Sequence, residues 1–137
     1  MDTPINQFHD YYNKFTKVQY EQYNKNLYSI MINVENHTLT LYKDGKINKV
    51  YPIAVGKTST PTPRGVFKII NKSINPGGPF GVRWLGLSAP NGSYGIHGTN
   101  IPMSIGKNVS NGCVRMFNQD VLEVSNLVSI GTVVNIK

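Results

Sequence analysis

The chain has 137 residues, of which 39% are hydrophobic and 15% charged, and its formal net charge is +7. This is one domain's length with ordinary apolar content, which excludes a charge-driven disordered polymer. A single cysteine excludes an internal disulfide and a cysteine-rich zinc site, and no apolar run approaches the roughly 20 residues that cross a bilayer.

Residues 1–26 are rich in Tyr, Asn and Gln, with Phe8, Tyr11, Phe15 and Val18 at helical spacing behind Thr3-Pro4. They read as an N-terminal extension that is helical if it packs. The polar start has no signal-peptide core, so no export signal is expected here. Residues 1–27 hold three lysines and three acidic residues, so the positive excess falls on the remainder. Such an excess favours an anionic partner, although scattered lysines serve solubility equally well. Basic runs interleaved with aromatics are missing, so nucleic acid is not an expected partner.

From residue 27 the apolar period becomes two. Tyr28, Ile30, Ile32 and Val34 share a strand face, Leu39 and Leu41 mark a second strand, and Asp44-Gly45 is a hairpin turn. The return strand is expected to set Ile47, Tyr51, Ile53 and Val55 on one face, completing a meander. The prolines of KTSTPTPRG exclude a central strand, and GVFKII resumes extended structure. The Gly- and Pro-rich stretch 71–98 predicts short strands and tight loops, with Trp84 more at home in the core than in a cleft. Asn118 is expected to cap a C-terminal helix with Asp120 in its first turn. Val121, Leu122, Val124, Leu127 and Val128 supply the buried stripe, Gly131 the stop, and TVVNI a closing strand. The fold class is mainly β (α+β), with one C-terminal helix.

Three histidines and one cysteine limit the chemistry. His9 and His37 read as solvated surface groups. His97 ends a probable strand beside a flexible glycine, and Cys113 follows Gly112, sixteen positions beyond that histidine. A thiol has a pKa of about 8.5 and becomes a good nucleophile when an imidazole takes its proton. Cysteine is also a common buried apolar residue, and spacing alone favours that role.

The surrounding residues change the balance. The stretch IHGTNIPMSIGKNVSNGCVRMFNQDV closely resembles the signature of the YkuD-type L,D-transpeptidases: His97-Gly98, then Ser110-Asn111-Gly112-Cys113, then Arg115. The SIG before the cysteine block, the Asn118 and Asp120 spacing after it, and upstream YPIAVGK and TPTPRGVFKI extend the similarity over about residues 27–137. Asn111 departs from the family, which usually has His or Arg there, and is expected to tune substrate choice.

The resemblance implies a β-sandwich or barrel-like catalytic domain acting on peptidoglycan without metal or organic cofactor. Cys113 is then the nucleophile and His97 its general base, oriented by the Gly98 carbonyl. The N–H groups of Gly112 and Cys113 are expected to form an oxyanion hole. Arg115 either binds a substrate carboxylate or braces the cysteine loop; Ser110 either bonds within that loop or is an ordinary turn serine. Tyr94 and Trp84 are the candidate cleft residues, and Arg64 shapes a proline-rich loop nearby. The expected partners are a donor stem tetrapeptide, an acceptor amine and, as covalent inhibitors, carbapenems. The chemistry implies the cell wall, the extracytoplasmic side or a spore envelope as its location. An L,D-carboxypeptidase and a non-catalytic wall-binding module are the alternatives.

Overall fold

The computed structural model describes residues 27–137; the helix expected near the N-terminus and His9 lie outside them. The alternating apolar residues form β1 (Tyr28–Asn33), β2 (Thr38–Lys43) and β3 (Lys46–Pro52), an antiparallel meander. One irregularity corrects the expected return face. Leu41 pairs with Lys49 while Tyr42 pairs with Ile47, so Asn48 is an extra residue on β3. A one-residue bulge exchanges the two faces of a strand. Tyr51 therefore stays buried, whereas Ile47 is 65% exposed. Beyond Pro52 the chain leaves the meander, and β4 (Val55–Gly56) pairs with β8 (Asn108–Ser110) in a separate two-stranded sheet. His37 turns the corner between β1 and β2 and bonds the Asn108 side chain at 2.5 Å.

The main sheet has the order β3-β2-β1-β10-β5-β6-β7-β9, where β5 is Gly65–Ile74, β6 Arg83–Leu87, β7 Gly95–His97, β9 Val114–Arg115 and β10 Val133–Ile136. The last strand is central: β10 runs parallel to β1 and antiparallel to β5, joining the meander to the half that carries His97 and Cys113. The sheet curls into a half-barrel with one helix, as the mainly β expectation required. Its core cluster includes Ile30, Ile32, Leu39, Leu41, Ile69, Leu85, Ile96, Val114 and Met116. Burying that apolar area is the main stabilising contribution.

Helix α1 (Asn118–Leu127) packs through Val121, Val124 and Ser125, while Leu122 points outward at 37% exposure. Positions i, i+3 and i+4 line one face, so Ser125 takes the place expected of Leu122. Phe117 occupies the N-cap without a side-chain bond, and Asn118 is the first helical residue. Nor does Gly131 stop the helix. The chain turns extended at Val128, and Lys72 Nζ donates to the carbonyls of Ser125 at 2.6 Å and Val128 at 3.0 Å. A cation there meets the negative end of the helix dipole. Gly131, at φ +97°, makes the turn into β10. On the other side, Glu123 Oε1 accepts from Tyr51 Oη at 2.5 Å and Lys49 Nζ at 2.8 Å, pinning α1 to β3.

Candidate active site

His97 ends β7 and Cys113 immediately precedes β9. The strands are parallel, with Ile96 opposite Val114 and His97 opposite Arg115. Continuing that register by one residue brings Cys113 beside Gly95. Alternation then puts Cys113, Arg115 and His97 on one face, with the thiol and imidazole diagonal to each other. Gly95 carries no side chain for a physical reason: a Cβ there would lie 2.7 Å from the Trp84 ring.

The imidazole is 3% exposed and its Nδ1 bonds the Gly98 carbonyl at 2.5 Å. A carbonyl only accepts, so Nδ1 carries the proton and Nε2 keeps its lone pair. Burial lowers the His97 pKa to about 4; the Arg115 charge lowers it too, while the Gly98 bond acts against both. The ring is neutral at physiological pH. Trp84 stacks on it with centroids 5.7 Å apart and planes at 17°, and Phe80 meets it edge-on at 5.1 Å. Phe80 lies in the short 3-10 turn η1 (Gly78–Phe80) between β5 and β6. Sequence reasoning passed it over, because GGPFG carries only turn signals.

The Cys113 thiol is half-buried and its Sγ faces the Ser93 carbonyl at 3.8 Å. Burial raises its pKa, while a Gly95 backbone hydrogen bond and the Arg115 charge pull it down. No hydrogen bond joins Sγ to His97 in this resting arrangement among the described residues. Such bonds commonly tighten only when substrate is bound.

Ser110 belongs to the cysteine loop, not to a passive turn. Its Oγ donates to the Cys113 carbonyl at 2.6 Å and accepts from the Gly112 N–H at 3.1 Å. Of the two expected oxyanion donors, the Gly112 N–H is engaged by Ser110, while the Cys113 N–H has no acceptor among the described residues. Gly112 has φ +121°, and the Tyr94 ring lies 2.6 Å from where its Cβ would stand.

The Arg115 side chain makes no hydrogen bond or ion pair among the described residues. Its backbone pairs with Ala54 in both directions at 2.9 Å, so any bracing runs through the main chain. Tyr94 borders two openings. A groove of about 560 Å³ also has Pro61, Arg64 and Asn111 in its walls, and a smaller one of about 290 Å³ has Trp84, Asn71 and Ser93. Trp84 is thus a cleft residue and a wall of the imidazole site, not core as its composition context suggested. Among the described residues no three His, Cys, Asp or Glu side chains group to hold a metal ion.

Asn118 is the second residue whose role the sequence missed. Its Oδ1 accepts from the N–H groups of Val82 at 3.2 Å and Thr99 at 3.1 Å, and its Nδ2 donates to the Thr99 carbonyl at 3.0 Å. The carboxamide therefore leaves the helix end and ties two loops together.

Residues 27–136 match the YkuD family, the L,D-transpeptidase catalytic domain. YkuD of Bacillus licheniformis is 56% identical over 109 residues, covering 80% of this chain; the chain spans 65% of that relative's length. The solved catalytic domain of the Enterococcus faecium L,D-transpeptidase is 28% identical with TM-score 0.67, covering 80% of this chain and 96% of that one. A solved structure of the Ldtfm-avibactam carbamoyl enzyme is also 28% identical, with TM-score 0.71 over 81% of this chain and 49% of that one. Half-barrel, thiol, imidazole and sequence agree, and the chain belongs to the YkuD family of L,D-transpeptidase catalytic domains.

Proposed function

We propose that this domain forms 3→3 cross-links between peptidoglycan stem peptides through a thioester on Cys113. The supporting observation is a half-buried thiol on the same face as a neutral imidazole whose Nδ1–H is committed to Gly98. That leaves Nε2 as the only basic nitrogen to take the thiol proton. Cys113 Sγ attacks the carbonyl of the third stem residue as its proton passes to Nε2. The C–N bond to the terminal D-Ala breaks, and its amine leaves with the proton from His97. An amine of a second stem then attacks the thioester, forming the new amide and restoring the thiol. The Cys113 N–H, with no internal acceptor among the described residues, is the donor available to the developing oxyanion. The Arg115 guanidinium, without a hydrogen-bond or ion-pair partner among the described residues and on the same strand face, suits a substrate carboxylate.

Water in place of the amine would make a carboxypeptidase. The groove of about 560 Å³ beside Asn111 has room for a second peptide, which supports transfer. This chemistry puts the domain on the extracytoplasmic side of the membrane or in a spore envelope. Mass spectrometry of stem tetrapeptide reactions is the test. Cross-linked dimer is expected, and trimmed tripeptide alone at high acceptor concentration would point to hydrolysis. Equal turnover by Cys113→Ala would remove the cysteine mechanism, and wall binding with no turnover by wild type would leave a wall-binding module. A carbapenem is expected to add once, to Cys113.

A further inference from the structure

We infer that Asn118 is a positioning residue for His97, a role that rests on the proposed acyl transfer. Besides the Trp84 ring stacked on its face, two features hold the imidazole from outside its own strand: the Gly98 carbonyl on Nδ1, and the Phe80 ring at its edge. Both belong to loops that meet at one carboxamide. Asn118 bonds the N–H and carbonyl of Thr99, the residue after Gly98, and it bonds the N–H of Val82, which closes the turn carrying Phe80. Two glycines leave the space for it, since a Cβ on either Gly81 or Gly98 would run into Asn118 Oδ1. The helix gains nothing locally, because its N-cap has no side-chain bond although an asparagine stands one residue away. The amide is spent across the loops. One of the three bonds holds the N–H of the Gly98–Thr99 peptide, whose carbonyl is the His97 acceptor, and the other two tie Thr99 and Val82 on either side of it. Removing the amide frees the Gly98–Thr99 peptide to turn, and the proton can then move from Nδ1 to Nε2. That tautomer cannot take the thiol proton.

The test is Asn118→Ala in the full chain, read without peptidoglycan. Two-dimensional NMR of the imidazole nitrogens reports the tautomer, and a carbapenem reports the acylation rate of Cys113. Wild type should show Nδ1–H alone. Asn118→Ala should show a mixture and at least tenfold slower acylation. A lower melting temperature with the wild-type tautomer and rate would overturn the inference. If Asn118→Ala does not fold, Asn118→Asp replaces it, keeping both accepted bonds and losing the donated one. A displaced His97 resonance and at least threefold slower acylation are then expected, and both unchanged would overturn it. The tautomer measurement needs no substrate. It can therefore fail while wild type still makes cross-links, and it can succeed where no cross-links form.

Discussion

Trp84 lies flat on His97, with ring centroids 5.7 Å apart and an interplanar angle of 17°. The same indole covers Gly95, fills the space a Cβ would need, and donates from Nε1 to Asn71 Oδ1 at 3.0 Å. One side chain therefore dries the imidazole and keeps residue 95 a glycine. Burial is the main reason the His97 pKa is low. Trp84→Ala should raise that pKa from about 4 towards 6.5 in an NMR titration. It should also destabilise the domain by about 2–4 kcal/mol in denaturant unfolding, the range for an aromatic partly lost from packing.

The same shift couples stability to pH. The unfolded chain binds a proton on His97 near 6.5, but the folded chain does so only near 4. Folding is thus favoured above 6.5, and this contribution disappears as pH falls from 6.5 to about 4, amounting to roughly 3 kcal/mol. Unfolding free energies measured across that interval should fall for wild type and be flatter for His97→Gln. Equal slopes would show that His97 is not held neutral.

Arg115 lowers the pKa of both His97 and Cys113. Arg115→Met should therefore raise both. Less thiolate at neutral pH should slow carbapenem acylation by roughly three- to tenfold, with the acid limb of the rate profile moved to higher pH. The rate profile between pH 4 and 9 is the measurement.

Gly112 holds φ +121° with the Tyr94 ring against it. Gly112→Ala must strain the backbone and push the ring aside, costing about 1–3 kcal/mol. Misplacing the cysteine loop should also reduce acylation more than the lost stability accounts for. Thermal unfolding and intact-mass kinetics together decide this.

Lys72 provides a control away from the site. Lys72→Met removes the cation from the carbonyls of Ser125 and Val128 and should cost about 1 kcal/mol. Acylation per folded molecule should be unchanged, and a changed rate would link the helix end to the thiol.

The elements with strong local signals were legible. Tyr28 to Val34 and Leu39 to Leu41 alternate with period two because one face is buried, and Asp44-Gly45 favours a tight turn. The helix after Phe117 was visible from its spacing, and so was most of its buried face, since Val121, Val124 and Val128 are buried and Leu127 packs against the core. Leu122 looks apolar enough to be inside, yet the helix docks through Val121, Val124 and Ser125. Ile47 failed for a related reason, since a bulge depends on the partner strand and leaves no mark in the strand's own pattern.

By itself the sequence determined which atoms are available for chemistry: one thiol, a histidine beside a glycine, and a glycine before the cysteine that permits a conformation other residues resist. Nucleophilicity, a sharp turn and an apolar period are properties of single residues and near neighbours, so they survive without a fold. Only the tertiary structure decided that Trp84 stacks on His97, that Ser110 claims the Gly112 N–H, and that Asn118 serves two distant loops instead of its own helix. Those outcomes depend on which groups meet across the sheet, and hydrogen bonds and desolvation act over a few ångströms whatever the separation along the chain.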